Sequence, residues 1–98
     1  MHSAIIIVSD DSLFVSFALL KLKEDYIDTI IERAIGTEDF EILLEELKDE
    51  GICSVWVLCD GNLSINEISE IEEILDRYSD QIELSISRGM QEYYEIQE

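Results

Sequence analysis

Two apolar runs constrain the fold of this chain more than any other feature of its sequence. The first is Ala4–Val8, which is almost wholly β-branched, and the second is Ile52–Cys59. An apolar run without alternation is typical of a strand that is buried on both faces, as central strands of parallel sheets are. The two runs are therefore expected to lie side by side in the middle of such a sheet.

Helix and strand patterns alternate along the rest of the chain. The predicted elements are strands at 4–8, 26–34, 52–59 and 81–87, and helices at 13–24, from Gly36-Thr37 to Gly51, and from Ser64 onward. Such alternation calls for right-handed crossovers and a mainly parallel sheet. We predict an α/β fold, an open three-layer sandwich whose four strands have the order 2-1-3-4. A chain of 98 residues is expected to form a single domain, 1–98.

Three segments allow a second interpretation. Residues 12–24 have helical spacing and a cap candidate in Asp11 or Ser12, but their apolar residues also alternate as in a strand. The segment 26–34 is predicted as a strand, with a helix as the alternative. Residues 90–98 could pair back as an antiparallel edge strand or could form a tail.

Two polar residues are predicted to cap the later helices. Thr37 is a candidate N-cap of the second helix. Ser64, with Glu67 three residues later, matches a capping box at the start of the third.

The charge of the chain limits its partners. It has 24 acidic and 6 basic residues, a formal net charge of −18. A surface this negative repels phosphate backbones and anionic lipid head groups, so direct binding to nucleic acid or to a membrane surface is not expected. Divalent cations, basic proteins and mimicry of a nucleic acid remain compatible with it.

The rare residue types exclude several kinds of chemistry. His2 is the only histidine, so sites that depend on a Ser-His-Asp triad or on several histidines lack their central residue. Cys53 and Cys59 lie in one apolar run and are expected to be core thiols. The apolar run near the N-terminus is too short for a signal peptide. A cytoplasmic protein that is not an enzyme is expected.

Three aspartates follow the two central strands. Asp10 and Asp11 come after the first, and Asp60 comes after the third. The order 2-1-3-4 puts a topological switch point between these strands, where ligands of open α/β sheets bind. Convergent carboxylates favour a divalent cation, so Mg²⁺ is the candidate cofactor and Asp10, Asp11 and Asp60 are its candidate ligands. The alternative is that all three are ordinary loop and cap residues.

Three segments resemble the receiver domain of bacterial response regulators, over roughly residues 4–89. They are IIIVSDDSLF at 5–14, ERAIGTEDFEILLEEL at 32–47 and VWVLCDG at 55–61. The resemblance implies that Asp10 and Asp11 bind Mg²⁺, that Asp60 accepts a phosphoryl group and that Ser87 is the switch hydroxyl. Receivers continue with a further helix, a fifth strand bearing a lysine and a last helix, whereas no lysine follows Lys48 here. The resemblance therefore implies a truncated, degenerate receiver that acts by contact.

Two functions are compatible with these features. The first is a receiver-like regulatory module that binds a protein partner, with a homodimer expected. Its candidate contact residues are Leu13, Phe14, Phe17, Tyr93 and Tyr94. The second is an acidic inhibitor that mimics nucleic acid and occupies the basic groove of a nucleic-acid-binding protein. Its candidate carboxylates form two rows: Glu38, Glu41 and Glu45, and Glu67, Glu70 and Asp76.

Overall fold

The structure is a computed structural model that describes residues 3–89. Its elements are β1 (Ser3–Val8), α1 (Ser12–Asp25), β2 (Ile30–Ala34), α2 (Thr37–Asp49), β3 (Ser54–Cys59), α3 (Ile65–Tyr78) and β4 (Glu83–Arg88). The strands form one all-parallel sheet in the order β2-β1-β3-β4. This confirms the predicted α/β class and strand order. The predictions for an antiparallel edge strand and for Tyr93 and Tyr94 fall outside the described residues.

The two apolar runs form the centre of the sheet, and their ends are aligned. Val8 is paired with Cys59 at the last position of β1 and β3. The hydrogen bonding extends one residue further, because the backbone N–H of Asp60 donates to the carbonyl of Val8 over 3.0 Å. On the other side of β1, the N–H of Ser9 donates to the carbonyl of Ala34 over 2.9 Å. Ser9 and Asp60 are therefore held next to each other at the carboxyl edge of the sheet.

Helices cover both faces of the sheet and divide the core in two. On one face, α2 and α3 bury residues such as Phe40, Leu44 and Ile71 against the sheet. On the other face, α1 alone packs against Ile5, Ile7 and Leu58. Side chains of a strand point alternately to its two faces, so β1 contributes to both halves of the core and is buried from Ala4 to Val8.

Residues 12–25 form a helix, which confirms the favoured interpretation and excludes the strand. Asp11 is the N-cap, and its Oδ1 accepts a hydrogen bond of 3.0 Å from the N–H of Leu13. The buried residues Val15, Ala18 and Leu22 recur at helical spacing on the side that faces the sheet.

β2 is a strand, as predicted, but it is shorter than the segment 26–34. The chain turns first, where the N–H of Thr29 donates to the carbonyl of Tyr26 over 3.3 Å. Tyr26 lies outside the strand, and its ring contacts Trp56 edge-on, with 5.8 Å between the ring centroids. The apolar character of the segment therefore reflects packing under α1 as well as strand formation.

The helix α2 begins at Gly36-Thr37 as predicted, but the prediction that Thr37 is its N-cap was wrong, whereas the predicted cap of α3 is confirmed. Gly36 is the N-cap of α2 and no side chain caps it, because the hydroxyl of Thr37 donates to Glu70 of α3 over 2.7 Å. Ser64 and Glu67 form the predicted capping box, each side chain accepting from the other residue's N–H at 3.1 Å.

Candidate functional site

The three candidate aspartates lie in two loops at the carboxyl edge of the sheet, but their environments differ. Asp10 and Asp11 follow β1 and are exposed to solvent. Asp60 follows β3 and is only 5% exposed. Burial separates Asp60 from the other two, since an ionised carboxylate away from water needs hydrogen-bond donors.

Asp60 has a donor on each carboxylate oxygen. The hydroxyl of Ser9 donates to Oδ2 over 2.7 Å, and the backbone N–H of Asn62 donates to Oδ1 over 3.0 Å. Ser9 is fully buried, and its Oγ also accepts a hydrogen bond of 3.0 Å from the N–H of Asp11. Ser9 thus links the β1–α1 loop to the β3–α3 loop through one hydroxyl group.

Arg33 of β2 supplies a positive charge beside this cluster. Its Nε donates to the carbonyl oxygen of Ser9 over 3.1 Å. The residue is paired with Ile7, one position before the end of β1, so it lies near the same edge of the sheet. Neither Ser9 nor Arg33 was singled out from the sequence. The aligned ends of β1 and β3 are the signal that could have identified Ser9.

Ser87 is at the same end of β4, but its hydroxyl has another partner. It is fully buried and is paired with Leu58 in the sheet. The indole Nε1 of Trp56 donates to its Oγ over 2.7 Å. Among the described residues, the candidate switch hydroxyl of Ser87 is thus hydrogen-bonded to Trp56 and not to Asp60.

The predicted magnesium site does not fit this arrangement as it stands. Within residues 3–89, no group of three His, Cys, Asp or Glu side chains is placed to hold a metal ion. Both oxygens of Asp60 accept hydrogen bonds, and Oδ1 of Asp11 caps α1. Magnesium binding at this edge therefore stays a prediction.

A cleft of about 300 Å³ opens beside Asp60, between the β3–α3 loop, α3 and the end of β4. Its walls include Leu63, Ile68 and Arg88. Arg88 is the basic residue of β4 at this edge of the sheet. Its guanidinium lies 3.6 Å from the carboxylate of Glu72 on α3, so it already has an acidic partner.

The two predicted rows of carboxylates lie on neighbouring helices. Several contacts join α2 to α3: Thr37 with Glu70, Glu41 with Arg77, and Glu45 with Tyr78. Clefts of about 370 and 470 Å³ follow this junction and are lined mostly by glutamates. Glu38, Glu41, Glu45 and Glu70 therefore form one acidic face along this junction, whereas Asp76 of the second row lines a different cleft, beside β4.

Tyr78 and Glu45 perturb each other on this face. The hydroxyl of Tyr78 donates to the Glu45 carboxylate, and this bond raises the pKa of Tyr78 to about 12. The same bond, together with Lys48 at 2.9 Å, lowers the pKa of Glu45. The pair holds the end of α3 against α2.

The candidate contact residues of α1 separate into two groups. Leu13 and Phe17 are exposed to solvent, whereas Phe14 is half-buried against the core on the α1 face. Leu20, which was not among the candidates, is also exposed and continues the apolar row.

No protein-family model matches the chain, and no curated protein or solved structure matches it at a significant level. In the part of the chain that the structure describes, none of the helices combines the length and the apolar character that crossing a membrane requires.

Proposed function

We propose that this protein is a receiver-like regulatory module that acts through protein contact and without phosphotransfer. The observation that carries the proposal is the pair of hydrogen bonds on Asp60. The residue in the position of a phosphoacceptor is buried, and both its oxygens are occupied by donors from the protein itself.

Phosphorylation of a carboxylate needs a free oxygen and cations that neutralise the incoming phosphoryl group. At this edge the hydroxyl of Ser9 takes one oxygen, and the nearest candidate cation of β4, Arg88, is paired with Glu72. The same geometry suits a fixed recognition surface, because Ser9 joins the two loops that would otherwise move independently.

The expected partner is a protein in the cytoplasm. The net charge of −18 disfavours direct contact with nucleic acid or anionic lipid, so a protein surface is the remaining class of macromolecule.

The test is the intact mass of the chain after incubation with a small acyl phosphate and Mg²⁺. We expect no phosphoryl adduct on the native chain or on the Asp60→Asn control. An adduct on the native chain that is absent from Asp60→Asn would contradict the proposal and establish a working receiver. An adduct confined to Ser9→Ala would support it, by identifying the Ser9 hydrogen bond as the obstacle.

We propose as a second candidate an acidic inhibitor that mimics nucleic acid. The acidic face of α2 and α3 favours it. The test uses a panel of basic DNA-binding domains, each bound to duplex DNA. A mimic should displace the DNA from at least one of these domains. Displacement should weaken steeply as salt rises. Neutralising Glu38 and Glu70 to glutamine should also weaken it, while the matched change Glu83→Gln on β4 should not. Absence of displacement from every domain at low salt would count against this candidate.

A further inference from the structure

The outward face of α1 carries a row of three large apolar side chains. Leu13, Phe17 and Leu20 are 82%, 47% and 63% exposed. Their spacing of four and then three residues places them on one side of the helix, opposite the buried row that contacts the sheet. Contiguous exposed apolar groups of this kind mark interaction sites on soluble proteins.

The charges around this row differ from those of the rest of the molecule. Residues 12–23 contain no acidic residue but hold Lys21 and Lys23, two of the six basic residues in the chain. By helical geometry the two lysines lie on either side of the apolar row. The exposed carboxylates of Asp10 and Asp11 precede the helix, and Glu24 and Asp25 end it. The N-terminal end therefore carries two acidic residues, whereas the two lysines and the two acidic residues near the C-terminal end balance each other.

We propose that α1 pairs with α1 of a second copy of this chain in antiparallel orientation. Reversing the helix brings Leu13 opposite the partner's Leu20, with the two phenylalanines at the centre. The same reversal brings Lys23 towards the partner's Asp10. A parallel pair would instead place acidic ends together and align the two helix dipoles unfavourably.

Self-pairing goes beyond the proposed function and does not depend on it. The complementarity of the helix with its own reverse favours a second copy over an unrelated protein. The dimer has an unusual salt dependence, because two chains of −18 charge repel each other while the contact itself is mainly apolar. Salt screens the repulsion more than it weakens the contact, so the dimer becomes tighter as salt rises. Binding of a basic partner to the acidic face would instead become weaker as salt rises.

The test is sedimentation equilibrium of the full chain from about 1 µM to about 1 mM, at low and at high salt. We expect a monomer–dimer equilibrium with a lower Kd at high salt. Phe17→Ser should raise the Kd at least about tenfold. The control Ile42→Ser, at an isoleucine of α2 that is 55% exposed, should leave the Kd unchanged. Both side chains are exposed, and urea unfolding of each variant verifies that the fold is retained.

A charge-reversal cycle tests the orientation. Lys23→Asp and Asp10→Lys should each weaken the dimer, and the double variant should recover most of the loss. A chain that stays monomeric at every concentration and salt would overturn the proposal, and would leave the apolar row to a different partner. A dimer that is indifferent to Phe17→Ser, or one weakened equally by Ile42→Ser, would also overturn it.

Discussion

The hydroxyl of Ser9 donates a hydrogen bond of 2.7 Å to the carboxylate of Asp60, a residue 51 positions away in the sequence. Both groups are buried, so the bond is formed where water competes little for either partner. It joins the loops that leave the two central strands, and the N–H of Asp11 donates to the same hydroxyl. At the edge of the sheet where open α/β folds bind ligands, hydrogen bonds within the chain therefore hold the two loops together.

Ser9→Ala is expected to lower the free energy of unfolding by about 1–3 kcal/mol, because it leaves a buried carboxylate oxygen and the N–H of Asp11 without their partner. Urea unfolding at neutral pH measures the change. The matched control is Ser85→Ala on the exposed side of β4, which should alter stability by less than about 0.5 kcal/mol. Equal effects of the two substitutions would contradict this account of Ser9.

Ser87→Ala is expected to destabilise the protein by about 1–2 kcal/mol, because the indole N–H of Trp56 loses its acceptor. Trp56 is the only tryptophan, so its fluorescence reports the change directly. The emission of the folded Ser87→Ala variant should differ from that of the native protein, while Ser85→Ala should leave it unaltered. Identical emission in all three proteins would show that the Trp56–Ser87 bond is absent in solution.

Gly51→Ala is expected to cost about 1–2 kcal/mol, since Gly51 follows α2 with a φ of +91°, a conformation that places a Cβ too close to the backbone. Apart from Gly51 itself and its two chain neighbours, no residue has an atom within 4 Å of where that Cβ would be, so the cost comes from the local backbone alone. Gly61 has the same open surroundings without a positive φ and is the control. Thermal unfolding should separate the two variants, and a Gly61→Ala variant as unstable as Gly51→Ala would refute the argument.

The Tyr78–Glu45 hydrogen bond is expected to make stability fall in alkali. The pKa of Tyr78 rises from its ordinary 10.0 to about 12 in the folded chain, so folding favours the protonated phenol. The resulting contribution to the free energy of unfolding is fully present below pH 10 and is lost as the pH rises towards 12. Tyr78→Phe should remove it. Glu45→Gln should return the pKa of Tyr78 towards 10, as measured by the tyrosinate absorbance. A titration of Tyr78 that Glu45→Gln does not move would exclude the hydrogen bond as its cause.

The architecture could be predicted because burial on both faces leaves a distinct pattern in the sequence. Ala4–Val8 and Ile52–Cys59 lack the alternation of half-exposed strands, and this places them at the centre, from which the strand order follows. The N-cap of α2 was harder to predict. Thr37 has the right residue type for a cap, but a nearby glutamate on α3 competes for its hydroxyl.

The candidate site could be located from the sequence, but its hydrogen bonds could not be assigned. The order of the strands brings the loops of Asp10 and Asp60 to one edge. Whether a carboxylate there faces water, a cation or a neighbouring hydroxyl depends on side-chain rotamers and on the register of β1 against β3. Ser87 illustrates the same limit, since alternation in β4 marks it as polar but does not reveal that the indole N–H of Trp56 donates to its hydroxyl.

The central position of β1 affects how the protein folds as it is synthesised. Of the four strands of the sheet it is made first, both its neighbours follow it in the chain, and β3 begins only at Ser54. Until then one edge of an almost wholly apolar strand has no partner, and closing the long intervening segment is slow because of its entropy cost. Arrival of β3 is expected to be the event that commits the nascent chain to its fold.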